Sequence, residues 1–142
     1  MKLLTLITFM SCLIGTAWSG PRLIIEHPRY PFLQKDIYTV ACEKECAVKI
    51  SSTDPFSGST AKPLLQEKIR ALITEYEKGE FPVFSESPKI LYDLQVEDGT
   101  KKFRLKVGYP RSYRNQEYTK FNLLVERIEE LKFIMRKSEK GP

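Results

Sequence analysis

The strongest constraint on the fold is an alternating pattern on both sides of Asp98-Gly99. After this dipeptide, every second residue is apolar and the residues between are basic. The apolar set is Phe103, Leu105 and Val107, and the basic set is Lys102, Arg104 and Lys106. Asp-Gly between such runs favours a two-residue hairpin of type I′, which needs a positive φ at both central residues. The sequence therefore predicts strands over 90–97 and 101–107, with one buried face and one solvated, cationic face.

Four further elements follow from residue type and spacing. Ile37–Cys42 and Ala47–Ser51 are rich in β-forming residues and are predicted strands. A helix is predicted from Pro63 to a stop at Gly79, and a second from about Glu117 to Met135. Their apolar stripes, at helical spacing, are Leu65, Ile69, Leu72, Ile73 and Tyr76, and then Phe121, Leu124, Val125, Ile128, Leu131 and Met135. The expected fold is α+β, a small antiparallel sheet with two amphipathic helices packed on one face.

Residues 1–19 have the order of a secretory signal peptide. Lys2 is the positive start, Leu3–Ile14 is almost wholly apolar, and Ala17 and Ser19 form a small-residue cleavage site. The apolar run is shorter than the roughly 20 residues of a spanning helix. We therefore expect an exported protein, periplasmic, cell-surface or secreted, with no membrane span in its mature form. An uncleaved membrane anchor and lipoprotein processing at Cys12 are the alternatives.

The rest of the chain, from residue 20 onward, is predicted to divide into three parts. Residues 20–36 are rich in proline and are predicted to form an extended arm, with a short edge strand at Leu23–Ile25. Residues 37–136 make a single domain, in which Ser52–Lys62 is rich in turn-forming residues. Residues 137–142 are predicted to be a flexible tail.

Two cysteines, Cys42 and Cys46, remain once Cys12 leaves with the leader. An even count in an oxidising compartment favours a disulfide. Either a tight hairpin brings the two residues together, or they close a loop just before one strand. Free thiols and metal or redox chemistry are the alternatives, but no second Cys or His pair completes a zinc site. We expect no metal and no cofactor.

The sequence contains no recognisable catalytic arrangement, and we expect a protein that is not an enzyme. His27, the single histidine, lies in the proline-rich segment. Motifs for phosphate loops, zinc peptidases and serine hydrolases are absent. A hydrolase needs only two facing carboxylates, so that class stays open. Glu126, Glu129 and Glu130, however, fit the exposed face of the last helix.

The charge pattern indicates a binding surface. The net charge of +5 becomes +4 without Lys2, and the chain lacks the dense basic motif expected of a nucleic-acid binder. The candidate binding residues combine the basic strand row with the loop after it. They are Lys102, Arg104, Lys106, Tyr109, Arg111, Tyr113 and Arg114. The expected partner is a protein, peptidases included, or an envelope component; the alternative is an ordinary solvated strand and loop. The arm before residue 37 is a second candidate, which either lies in a partner's groove or covers an edge of its own sheet.

Two resemblances add to this interpretation. The segment Val40–Ile50, with its C-x-x-x-C, resembles the opening of an uncharacterised family of bacterial exported domains, although Ala47 stands where a proline is usual and Lys49 where an aromatic is usual. The helix end Tyr76–Phe81, the hairpin Tyr92–Gly99 and the closing segment Leu123–Leu131 continue that pattern. The second half is also similar to emfourin, a small inhibitor of thermolysin-like metallopeptidases, which lacks the signal peptide and the cysteine pair. The resemblance implies an architecture but no inhibitory residues.

The sequence therefore predicts an exported, non-catalytic binding module, with peptidase inhibition as a specific form. If the protein is an inhibitor, the arm or a strand-end loop would enter the target's cleft. The alternative function is a structural envelope protein that adheres to an anionic surface through its basic strand face.

Overall fold

A computed structural model describes residues 20–31, 34–61, 63–81, 89–108 and 116–140. The strands are β1 (Arg22–Pro28), β2 (Lys35–Cys42), β3 (Cys46–Ser51), β4 (Phe56–Thr60), β5 (Ile90–Asp98), β6 (Lys101–Gly108) and β7 (Glu139–Lys140). The helices are α1 (Pro63–Glu77) and α2 (Gln116–Arg136). The α+β class predicted from the sequence is confirmed.

All the strands belong to one sheet with the order β6-β5-β1-β2-β3-β4-β7, and every pairing is antiparallel. β1 lies between β5 and β2, so that Ile25 pairs with Leu94 on one side and Tyr38 on the other. Arg22–Pro28, predicted as part of an arm with a short edge strand, is instead an internal strand. The reason is burial, since Leu23 and Ile25 are both fully buried and only an internal position encloses them.

The core lies between one face of the sheet and the two helices. α1 packs over β5 and β6 and contacts α2. The buried strand residues on this face include Leu23, Ile25, Val40, Val48, Ile50, Leu94, Val96 and Val107. They meet a helix layer of Leu65, Ile69, Leu72, Ile73, Phe121, Leu124, Ile128, Leu131 and Met135. Both predicted apolar stripes therefore face the sheet, except that Tyr76 is 42% exposed at the end of α1.

The predicted β5–β6 hairpin is present, but its turn differs from the predicted one. Asp98 pairs with Lys101, so the two loop residues are Gly99 and Thr100. Gly99 has a φ of 63°, and no described non-glycine residue has a positive φ. Only the first loop residue is left-handed, which is the type II′ pattern rather than type I′.

Two strands occur where the sequence predicted a turn-rich segment and a tail. β4 lies within Ser52–Lys62 and pairs with β3 along its whole length. β7 begins shortly after the end of α2 and pairs Glu139 with Ser59 and Lys140 with Gly58. The small polar residues of β4 form a strand because β3 lies beside them and offers an edge for pairing. The local sequence pattern does not show that this edge is present.

The cysteines adopt the first of the two predicted geometries. Cys42 ends β2, Cys46 begins β3, and the two residues pair directly across the hairpin at disulfide bonding distance. Both side chains are fully buried. Gly20 lies against this hairpin, and a Cβ there would come within 2.2 Å of the carbonyl oxygen of Cys42. The start of the described chain therefore packs closely on the cysteine pair.

The predicted signal peptide, residues 1–19, and the candidate binding residues Tyr109, Arg111, Tyr113 and Arg114 lie outside the described residues. In the part of the chain that the structure does describe, no helix is long and apolar enough to cross a membrane.

Candidate binding surface on the open face of the sheet

The sheet has a second face, on the side opposite to the helices. Because side chains alternate along a strand, Ile24 points away from the core while Leu23 and Ile25 point into it. Thr39 and Gln95 pair with Ile24 from the two neighbouring strands, so these three side chains share the centre of this face. We call it the open face.

The centre of the open face is a cleft of about 580 Å³. Ile24, Thr39, Ala41 and Gln95 form its floor. The charged side chains that line the cleft are those of Arg22, Glu97, Lys102 and Arg104. A floor that mixes apolar surface with a few polar groups, edged by charges, is typical of a recognition surface.

Three ion pairs order the charges on this face. Arg104 binds the carboxylate of Asp93 through Nε at 3.1 Å and through a terminal nitrogen at 2.8 Å. This hydrogen bonding and the charge of Asp93 raise the pKa of Arg104. The other two pairs join Arg22 to Glu97 at 2.9 Å and Lys35 to Glu26 at 3.0 Å. Arg104 is therefore held in a defined orientation, and its charge is largely compensated.

Three lysines on the open face have no ion-pair partner among the described residues. Lys102 and Lys106 lie on β6, and Lys49 lies on β3 on the far side of the cleft. All three are exposed. The two sides of the cleft therefore carry positive charges that the fold itself does not neutralise.

The structure confirms the predicted orientation of the basic row, since Lys102, Arg104 and Lys106 all lie on the open face of β6. It also shows that the row is not uniform, because Arg104 is paired and the two lysines are not. The sequence did not identify Ile24, Thr39, Gln95 or Lys49 as site residues. Side chains in a strand point alternately to its two faces, but the apolar run Leu23-Ile24-Ile25 does not show which residue points outward.

A polar cluster lies on the covered face, where α2 crosses the ends of β1, β2 and β5. The ring of His27 packs against that of Tyr92 in a tilted arrangement with centroids 4.8 Å apart, and Lys132 Nζ is 3.4 Å from His27 Nδ1. The Tyr92 hydroxyl donates a hydrogen bond to Glu129, and Lys132 donates another at 3.0 Å. Nearby, Arg136 contacts the Tyr38 hydroxyl at 3.4 Å. These contacts fasten the last helix to the sheet.

The cluster shifts two pKa values. Burial, and then the positive charge of Lys132, lower the pKa of His27. Burial acts to raise the pKa of Glu129, but the hydrogen bonds from Tyr92 and Lys132 outweigh it and lower the pKa overall. At neutral pH the histidine is neutral and the carboxylate is charged, which suits the hydrogen bonds present.

The three glutamates predicted to lie on the exposed face of the last helix have different surroundings. Glu129 belongs to the cluster of His27 and Tyr92, while Glu130 forms an ion pair of 2.8 Å with Lys68 on α1. Glu126 is exposed. Among the described residues, no group of three or more His, Cys, Asp or Glu side chains is placed to hold a metal ion.

Comparison with known proteins finds no matching protein-family model and no matching curated protein.

Proposed function

We propose that this protein is an exported, non-catalytic binding module that holds an acidic region of a partner protein on the open face of its sheet. The observation that carries the proposal is the cleft of about 580 Å³ at the centre of that face, with unpaired lysines on both sides.

The composition of the cleft floor supports a protein partner. Ile24 and Ala41 offer apolar area, and Thr39 and Gln95 offer hydrogen-bonding groups close to it. Apolar area gives affinity, and directional polar groups give orientation. A surface built only for electrostatic adhesion needs neither.

The charges support an acidic partner. Lys49, Lys102 and Lys106 attract negative charge, while the paired Arg22 and Arg104 are already bound to carboxylates within the fold. Complementary charge raises the rate of association and selects among partners more than it raises affinity. We therefore expect a binding rate that falls as salt increases, with a residual affinity that comes from the cleft.

Inhibition of a thermolysin-like metallopeptidase is the specific form of this proposal, and its support is the resemblance of the second half to emfourin. Within the predicted arm, Arg22–Glu26 is paired with a strand on each side, which disfavours this part of the arm as the inhibitory segment. A strand-end loop remains as the segment that would enter a peptidase cleft.

Adhesion to an anionic envelope surface is the second candidate, and the unpaired Lys49, Lys102 and Lys106 favour it. It differs from the first in its dependence on salt. Exposed charges are screened beyond about 10 Å at 0.1 M salt and about 3 Å at 1 M. Pure adhesion should therefore disappear at 1 M, whereas binding in the cleft should only weaken.

The experiment is capture from the envelope and secreted fractions of the source organism, with the full exported chain as bait, at 0.1 M and 1 M salt. The informative variant is Thr39→Glu, which places a negative charge in the cleft, and Thr39→Gln is its neutral match in size. Captured proteins are identified by mass spectrometry, purified and tested for direct binding, and any peptidase among them is assayed for inhibition.

We expect a protein that is retained at 1 M salt, lost with Thr39→Glu and kept with Thr39→Gln. Recovery of lipid or polymer alone, only at 0.1 M salt, would replace the proposal with adhesion. Equal capture by both Thr39 variants would exclude the cleft.

A further inference from the structure

Among the described strands, β6 is the outermost one on its side of the sheet. The order begins β6-β5-β1, so β5 occupies one edge of β6. No described residue pairs with the other edge over Lys101–Gly108. An open edge of eight residues can accept a further strand through main-chain hydrogen bonds.

The hairpin shows which main-chain groups are available on that edge. Its loop is Gly99-Thr100, so Asp98 and Lys101 form the closing pair, which is hydrogen-bonded in a two-residue hairpin. Hydrogen-bonded and non-hydrogen-bonded pairs then alternate along the strands. The N–H groups of Lys102, Arg104 and Lys106 therefore point away from β5, toward the vacant edge.

The two faces beside this edge have opposite chemistry. On the open face lie the exposed side chains of Lys102, Arg104 and Lys106. On the helix side, Tyr76 stacks on Phe103 with ring centroids 4.2 Å apart, and Phe81 is 6.1 Å from Phe103. Tyr76 itself is 42% exposed, so this aromatic group is accessible to a partner from the side of Tyr76. A strand added here has cations on one face and aromatic rings on the other.

We propose that the outer edge of β6 binds an extended segment of a partner protein in which acidic and apolar residues alternate. The acidic side chains lie beside the basic row, the apolar side chains lie beside Tyr76 and Phe103, and the main chain pairs with β6. The edge site shares Lys102 and Arg104 with the lining of the cleft, but the main-chain pairing along β6 does not depend on the function proposed for the cleft.

The same charges disfavour a second copy of this protein as the occupant. Pairing two β6 strands would place Lys102, Arg104 and Lys106 of one copy beside the same residues of the other. Like charges opposite one another on paired strands are destabilising. The basic row thus selects an acidic strand over self-association.

The test uses the full exported chain and three synthetic eight-residue peptides. The first alternates glutamate and valine, the second alternates lysine and valine, and the third is the glutamate peptide with N-methyl groups on its alternate peptide nitrogens. Affinity is measured by titration calorimetry at 0.1 M salt, and amide hydrogen exchange is followed for β6. We expect binding of the glutamate peptide, at least tenfold weaker binding of the other two, and slower exchange at Lys102, Arg104 and Lys106.

Two variants separate the edge from the open face. Lys106→Pro removes an outward N–H, and proline is tolerated where the N–H of an edge strand faces solvent. Lys106→Ala removes the same charge but keeps the N–H. We expect Lys106→Pro to weaken the peptide at least tenfold and Lys106→Ala to weaken it less than fivefold, because exposed ion pairs contribute little. Circular dichroism checks that both variants fold.

Three results would overturn the proposal. One is slow exchange at Lys102, Arg104 and Lys106 in the free chain, because the edge would then already be paired. Another is equal affinity for the glutamate peptide and its N-methylated form. The third is peptide binding that Thr39→Glu abolishes and Lys106→Pro leaves unchanged, which would assign the peptide to the cleft. Loss of the partner proteins with Thr39→Glu, with peptide binding intact, would leave both sites standing separately.

Discussion

The internal position of β1 makes a quantitative prediction through two adjacent isoleucines. Ile25 is fully buried between Tyr38 and Leu94, beneath the helix layer, whereas Ile24 points to the open face and is only partly buried. Ile→Ala at a buried position costs about 2–5 kcal/mol, and the cost is larger where the surroundings cannot collapse into the cavity. Two flanking strands and a packed helix layer restrict such collapse, so we expect about 3–4 kcal/mol for Ile25→Ala.

Ile24→Ala is the matched control, because it removes the same atoms from the next residue of the same strand. Its side chain keeps part of its contact with water in the folded state, so we expect a loss of about 1 kcal/mol. The free energy of unfolding is measured by urea titration followed by circular dichroism. For a domain of this size, Ile25→Ala should also lower Tm by roughly 10–15 °C.

The refuting result is equal loss in the two variants, or a loss below about 1.5 kcal/mol for Ile25→Ala. Either outcome would mean that Arg22–Glu26 is not enclosed on both sides. The open face would then lack its central strand, and the cleft with it.

Three further predictions concern other parts of the fold. Reduction of the disulfide between Cys42 and Cys46 should lower the free energy of unfolding by about 2 kcal/mol. The loss is this small because the two cysteines are four residues apart and close a short loop. Alkylation of both thiols without denaturant or reductant would contradict the pairing. Tyr92→Phe removes the hydrogen bond to Glu129 and should lower the free energy of unfolding, measured by urea titration, by about 1 kcal/mol. The loss is modest because Glu129 is 50% exposed and water replaces part of the hydrogen bond. An unchanged urea midpoint would contradict the contact. The lowered pKa of His27 means that the unfolded chain takes up a proton first, so stability should fall as pH decreases from the ordinary value of 6.5 through the folded pKa. His27→Gln should flatten this part of the pH–stability curve, and an unaltered slope would refute the assignment.

Local patterns in the sequence were sufficient to predict the elements in which the spacing of apolar residues shows which side chains are buried. The β5–β6 hairpin was predictable because each apolar residue from Phe103 to Val107 has a basic neighbour. Both helices were predictable from their apolar spacing, and their bounds agree with Pro63–Glu77 and Gln116–Arg136 to within about two residues. The turn type was wrong because Asp98 remains paired and the loop moves one residue along, to Gly99-Thr100.

The remaining elements depend on neighbours far away in the chain. β1 resembled an arm because prolines flank it and Leu23-Ile24-Ile25 does not alternate, and its burial comes from β5, about seventy residues later. β4 contains Ser57, Gly58 and Ser59, which favour turns locally and form a strand only because β3 is beside them.

The candidate site shows the same division. The outward row of β6 was visible in the sequence, since alternation along one strand shows which side chains share a face. The cleft was not visible, because Ile24, Thr39 and Gln95 meet only through the strand order β5-β1-β2. Strand order is set by packing across the whole sheet, so it cannot be predicted from the residue pattern of any single segment.

The most direct test of the binding surface is site-specific photo-crosslinking, with one photoreactive residue at Thr39 in the cleft or at Leu64 on α1. Leu64 is a matched position, because it is 45% exposed and lies on the opposite side of the molecule. We expect the partner protein to be crosslinked from position 39 and not from position 64. Crosslinking from position 64 alone would contradict it and would assign binding to the helix side.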